Sequence, residues 1–99
     1  MTGPAEFELV VITHDRIVFH GQVVSVVVPG VSGSIGIMAH HTPIVASLGR
    51  GILTVYSADG SESEWMVNLG LLEVSANAAS ILVEEISEIS GQEGPVPPG

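Results

Sequence analysis

The chain has 99 residues and a mass of 10.2 kDa, which is the length of a single domain. It contains no cysteine, so disulfides, thiolate metal ligands and thiol nucleophiles are excluded. Its only cations, Arg16 and Arg50, stand against eleven carboxylates for a formal charge of −9, which excludes binding to nucleic acid or anionic lipid through a basic patch.

Short runs of β-forming residues recur along the chain and predict strands. Residues 6–13 place Phe7, Leu9 and Val11 on one face, the period of a half-buried strand. In residues 22–28 the run after Gln22 is apolar on both faces except at Ser25, which predicts a strand covered on both sides. The predicted strands, in chain order, are residues 6–13, 17–19, 22–28, 44–48, 51–57, 62–69, 71–74 and 81–83.

Turn and breaker residues complete this pattern. The Asp59-Gly60 pair predicts a primed hairpin turn between residues 51–57 and 62–69. One short helical stripe lies at residues 82–89, too short to be stable alone. The spacing of the strands predicts an all-β fold, an antiparallel sandwich or barrel, over residues 1–89. The Pro/Gly-rich residues 90–99 are predicted to be a disordered tail.

The acidic residues are unevenly distributed. Residues 51–99 hold eight carboxylates and no basic side chain. Such a surplus is usually a solvated face, which is the favoured interpretation, and the alternative is a partner with basic residues that would recognise it. Both interpretations stay open.

Histidines are the first candidates for chemistry. A cupin-like metal-binding barrel that uses His40 and His41 is the alternative to a non-catalytic domain. A chelating pair on a strand needs the spacing H-x-H, whereas His40 and His41 are adjacent and the next carboxylate is Asp59. Histidines bonded to backbone or water in loops are therefore favoured, for His14 and His20 as well. No G-x-S-x-G context marks a nucleophile, so we predict no catalytic residue.

Residues 29–43 form the most unusual segment. Gly30, Gly33 and Gly36 follow the spacing G-x-x-G-x-x-G with no helix behind them, which disfavours a phosphate-binding loop and predicts a compact turn-rich loop. Four apolar residues of this segment are predicted to be exposed: Val31, Ile35, Ile37 and Met38. A loop of this kind either packs on its own core or docks on a partner.

The same segment resembles a known family. The run Val26-Val27-Val28-Pro29-Gly30-x-x-Gly33-x-x-Gly36-Ile37-Met38-x-x-His41-Thr42-Pro43 is similar to the pattern V-x-V-P-G-x-x-G-x-x-G-I-L-P-x-H-x-P of the epsilon subunit of F-type ATP synthases, called delta in mitochondria. Further similar segments follow in the family's order at residues 7–13, 18–21, 48–51, 68–74 and 81–83. The resemblance covers about residues 6–88.

This resemblance implies a flattened antiparallel β-sandwich of about ten strands at the foot of the central stalk. The domain would dock on the gamma subunit and the c-subunit ring and couple ion-driven rotation to ATP synthesis, without catalysis, cofactor or metal of its own. It would be a monomer when isolated. The implied ring contacts are Val31, Gly33, Ser34 and Ile35, and the implied gamma contacts are Thr13 and His41. No apolar run is long enough to span a membrane and no targeting leader is visible. The resemblance implies a peripheral location on the cytoplasmic side of the bacterial plasma membrane.

The chain departs from the family pattern in three places. Ser34 stands where relatives often have an acidic residue, and Ala39-His40 replaces a frequent Pro-Gly. Residues 90–99 do not have the pattern of the C-terminal helical hairpin that is usual in the family. Residues 84–99 hold three prolines and three glycines, which oppose a helix. We therefore expect a subunit that couples the rotor without acting as an extending brake and without binding ATP.

Overall fold

The structure, a computed structural model, describes residues 5–90. Eight strands follow one another: β1 Phe7–Ile12, β2 Ile17–Val23, β3 Ser25–Gly30, β4 Gly33–Met38, β5 Ile44–Leu48, β6 Gly51–Tyr56, β7 Glu62–Ser75 and β8 Ala78–Ser90. The described residues contain no helix. The tail predicted for residues 90–99 lies outside the described residues, except for Ser90 as the last residue of β8.

The strand pairings divide into two layers that share β7 and β8. In the β2 layer, β2 pairs with β1, β1 with residues 78–82 of β8, residues 78–83 of β8 with residues 70–75 of β7, and residues 70–74 of β7 with β5. In the β4 layer, β4 pairs with β3, β3 with β6, β6 with residues 62–67 of β7, and these with the end of β8. Because β7 and β8 cross both layers, each layer contains five strand segments, ten in all, which accounts for the expected count.

The core lies between the layers. Leu9, Val11 and Ile81 of the β2 layer are fully buried, as are Val26 and Leu53 of the β4 layer. The alternation predicted for residues 6–13 is confirmed, because Phe7, Leu9 and Val11 all enter this core. Phe19 of β2 contacts Trp65 of β7 edge to face, with ring centroids 6.1 Å apart.

Several predicted strand boundaries were wrong. The strands predicted at residues 62–69 and 71–74 are one continuous strand, β7, and those predicted at residues 17–19 and 81–83 are longer in the structure. The predicted strand at residues 22–28 is divided by a bend at Val24, whose amide donates to the Tyr56 carbonyl at 2.9 Å. The chain changes layers there, so Val23 is buried in one layer and Val26 in the other. The run therefore reads as apolar on both faces without being one central strand. In addition, β3 continues through the Pro29-Gly30 pair that was expected to end it.

The helical stripe predicted at residues 82–89 was also wrong, since these residues belong to β8. They pair with β7 as far as Ser90. The neighbouring strand therefore provides hydrogen-bond partners for backbone N–H and C=O groups, many of which would have no partner in a two-turn helix. Of its apolar residues, Leu82 and Ile89 are exposed and Ile86 packs against the core.

The primed turn lies at a different hairpin from the one predicted. Asp59 and Gly60 do join β6 to β7, but only Gly60 has a positive φ, and the Gly60 amide donates to the Ser57 carbonyl at 3.0 Å. This is the arrangement of a three-residue hairpin loop. The two-residue turn with positive φ at both positions is Ala76-Asn77, between β7 and β8.

Candidate docking surfaces

The segment predicted as a loop at residues 29–43 is instead mostly a β-hairpin. Strands β3 and β4 pair from Ser25↔Met38 to Gly30↔Gly33, with Val31 and Ser32 as the turn. We call residues 31–34 the hairpin tip. A side chain at Gly30 would place its Cβ 2.6 Å from the Gly33 carbonyl oxygen, so the close approach of the two strands requires glycine there.

Exposure in this hairpin alternates as in any strand, which corrects the expectation that all four of its apolar residues are exposed. Val31 is 67% exposed and Met38 65%, whereas Ile37 is fully buried. Ile35 is half-buried and packs against the core. The buried isoleucine anchors the hairpin, and the tip projects from it.

The hairpin tip is fastened to the neighbouring end of β5. The Val31 amide donates to the Ser47 carbonyl at 3.0 Å, and the Gly49 amide donates to the Pro29 carbonyl at 2.8 Å. All four predicted ring contacts, Val31, Gly33, Ser34 and Ile35, line one depression of about 390 Å³ beside the tip. The structure thus brings this predicted set together.

The two predicted gamma contacts lie at opposite ends of the β2 layer. Thr13 follows Ile12, which pairs with Leu82, whereas His41 precedes Ile44, which pairs with Val74 near the other end of β7. A single surface that includes both must therefore cross the outer face of this layer.

Thr13 is held in a tight turn. Its hydroxyl donates to an Asp15 carboxylate oxygen at 2.8 Å, and its amide donates to the Arg16 carbonyl at 2.9 Å. The hydrogen bond from the Thr13 hydroxyl lowers the pKa of the Asp15 carboxyl below its ordinary value, with smaller contributions from the neighbouring charges.

The segment His40-His41 is hydrogen-bonded to the end of the sandwich that lies opposite Thr13. The His40 amide donates to the Asn77 side-chain oxygen at 2.7 Å, and the Asn77 amide group donates to the Glu6 carbonyl at 3.1 Å. The His41 ring Nδ1 lies 2.6 Å from the Thr42 carbonyl oxygen. Among residues 5–90 no group of three or more His, Asp or Glu side chains is placed to hold a metal ion. The cupin-like alternative based on His40 and His41 therefore lacks a ligand set in this part of the chain.

Between the two ends, the outer face of the β2 layer carries exposed apolar side chains. Leu71 and Leu82 face each other across β7 and β8 and are 43% and 45% exposed, and Val45 on β5 is 66% exposed. Sequence analysis missed them because each leucine adjoins a buried apolar residue, Leu72 or Ile81, so alternation does not reveal which one faces outward.

On the same outer face, near the turn between β7 and β8, lies a depression of about 500 Å³ that is bordered by Glu8, His20 and Glu73. The Nε2 atom of His20 is 2.7 Å from a Glu8 carboxylate oxygen, and both side chains are about half exposed. An ion pair in that position contributes little to stability in water.

No helix among residues 5–90 is long and apolar enough to cross a membrane.

Comparison with known proteins gives a consistent family. The family described as "ATP synthase, Delta/Epsilon chain, beta-sandwich domain" matches residues 6–89. The ATP synthase epsilon chain of Chlorobium limicola is 37% identical over 81 residues, which cover 82% of this chain and 92% of that relative. The epsilon chain of Bartonella quintana is 40% identical over 80 residues, 81% of this chain. The matched region spans only 56% of the Bartonella relative.

Two solved structures share the fold. A chain in the mitochondrial ATP synthase of Euglena gracilis, in an assembly that includes the c-ring, superposes with a TM-score of 0.81 at 22% identity over 89% of this chain and 56% of that one. A chain in the central stalk and c-ring of Tetrahymena thermophila mitochondrial ATP synthase gives 0.70 at 16% identity, over 87% and 69%.

Proposed function

Since the chain belongs to the delta/epsilon family of ATP synthase chains, we propose that it is a rotor subunit of the central stalk that docks on gamma and on the c-subunit ring. An epsilon-type chain is a structural subunit of the synthase and not an enzyme by itself. Its task would be to transmit torque between the ion-driven ring and the catalytic head. It would reach the cytoplasmic face of the bacterial plasma membrane through the complex.

The observation that carries this proposal is the hairpin tip. Val31 is two-thirds exposed, while Ile37 in the same hairpin is fully buried. A hairpin that is hydrogen-bonded to β5 and carries an exposed valine at its end suits a contact that must bear sideways force. We assign Val31, Gly33 and Ser34 to the ring contact, with Ile35 supporting them from the core side.

The gamma contact would use the outer face of the β2 layer. Thr13 and His41 mark its two ends, and Val45 and the partly exposed Val10 supply apolar area between them. Burial of such side chains is worth about 25 cal/mol per Å², so a few of them can support a stable contact.

Reconstitution tests this function directly. Adding the full chain to its own synthase, depleted of the endogenous subunit, should restore proton pumping for each ATP hydrolysed. A chain with Val31→Asp should fold but restore less pumping. Normal binding of the wild-type chain with no recovery of pumping would contradict the coupling role.

A further inference from the structure

Leu69 has a backbone conformation that its residue type disfavours. Its φ is +57°, in the left-handed region that glycine and asparagine tolerate and that a leucine side chain opposes. The other non-glycine residues with positive φ in residues 5–90 are His40, Ala76 and Asn77, which lie in turns. Of these four, Leu69 alone lies inside a strand.

The conformation belongs to the bend at which β7 passes from one layer to the other. Asn68 pairs with Glu85 and Gly70 with Val83, while Leu69 itself has no partner in the ladder. The fold would be served at least as well by glycine, because the Leu69 side chain is 56% exposed and takes no part in the core. The strained backbone of Leu69 is not compensated by packing of its side chain in the core. Its side chain is therefore expected to have a role at the surface.

Leu69 lies beside the hairpin tip. Gly70 pairs with Leu48 at the end of β5, and Val31 is bonded to the adjacent Ser47. Val31, Leu69, Leu71 and Leu82 therefore border one groove of about 400 Å³, whose polar rim includes Ser47 and Glu84. This groove is continuous with the depression beside the tip, because Val31 and Ser47 line both.

We propose that Leu69 is a specificity-determining contact residue, which together with Val31 binds an apolar surface of the ring-side partner. This inference rests on the proposed function and adds the chemistry of the contact. The tip, residues 31–34, carries no charged side chain, and the groove offers one carboxylate among five apolar side chains. The complementary partner surface is therefore a loop that offers aliphatic side chains to the groove and a hydrogen-bond donor or a cation to Glu84.

Two substitutions separate this role from a structural one. Leu69→Gly removes the side chain and relieves the backbone, and Leu69→Asn keeps similar size, tolerates positive φ and replaces the apolar end by an amide. Ala76→Gly is the matched control, because Ala76 has φ +53° and is exposed at the far end of the sandwich. All three full-length chains should unfold at the wild-type temperature or above it.

Binding is then measured with each chain against two assemblies from its own synthase, one with gamma but no ring and one with gamma and the ring. The wild-type chain and Ala76→Gly should gain affinity when the ring is present. Leu69→Gly and Leu69→Asn should bind the ring-free assembly like wild type and lose about tenfold in affinity for the assembly with the ring.

The outcomes distinguish the two proposals. If the Leu69 variants keep the full gain in affinity from the ring, the inference about Leu69 is wrong and the proposed function stands. If the wild-type chain gains no affinity from the ring, the proposed ring contact is wrong, and the inference falls with it.

Discussion

At the bend that contains Leu69, strands β7 and β8 approach each other closely at Gly70. The substitution Gly70→Ala, which adds one methyl group, tests this close approach. In Gly70→Ala the added Cβ would lie 2.5 Å from the Leu82 carbonyl oxygen and 2.7 Å from a methyl carbon of Val83. Both distances are far inside van der Waals contact, and the first involves backbone. The φ of Gly70 is not in the left-handed region, so the effect is purely one of space.

Overpacking of this kind costs about 1–3 kcal/mol. The smaller backbone freedom of alanine in the unfolded chain offsets about 0.4–1 kcal/mol of that cost. We therefore expect Gly70→Ala to lower the free energy of unfolding by about 1–2 kcal/mol, and the Tm by roughly 5–15 °C for a chain of this size. Urea unfolding, followed by the fluorescence of Trp65, measures the change, since this is the only tryptophan and it is nearly buried.

Gly36→Ala is the matched control on the edge strand β4. No atom lies within 4 Å of a Cβ added there, and its φ is not positive. The substitution should leave the urea midpoint unchanged or raise it slightly. If Gly70→Ala unfolded at the same urea concentration as Gly36→Ala, β7 and β8 would not approach each other as described, and the position of Leu69 beside Val31 would be refuted.

Two further predictions concern the proposed contact residues. Val31→Asp should change the free energy of unfolding by no more than about 0.5 kcal/mol, whereas Ile35→Asp, which puts a charge against the core, should lower it by about 1 kcal/mol or more in thermal unfolding. Thr13→Val should raise the pKa of Asp15, measured by NMR titration, because it removes the hydroxyl donor. A lowered pKa stabilises the fold at neutral pH and ceases to do so as pH falls through it, so wild type and Thr13→Val should converge in stability in acid.

The predictable part of the fold followed from strand periodicity. The alternation at residues 6–13 and the turn at Asp59-Gly60 were enough to place β1 and the β6–β7 hairpin. Residues 82–89 were misjudged because their helical stripe is local, whereas their strand state depends on pairing with β7. Long-range pairing is not visible in a window of eight residues.

The candidate site also has a part that could be predicted from the sequence and a part that could not. The glycine spacing and the family resemblance identified the hairpin tip, and the structure brings its residues together. The partial burial of Ile35 follows from the register of β4, which the sequence pattern had not revealed. Leu69 carried no signal at all, because leucine is among the last residues expected at a positive φ. A residue whose side chain disfavours its own backbone conformation can be found only in the structure.

The central claim is that the hairpin tip faces the ring, and a single photo-cross-link tests it most directly. The chain has no cysteine, so Ser34→Cys provides a unique attachment point for a photoreactive maleimide at an exposed position. Glu62→Cys, exposed at the opposite end of the β4 layer, is the control. In the assembled synthase, illumination should join position 34 to the ring subunit and leave position 62 free of it. Cross-links from position 34 to other subunits, with none to the ring, would contradict the account.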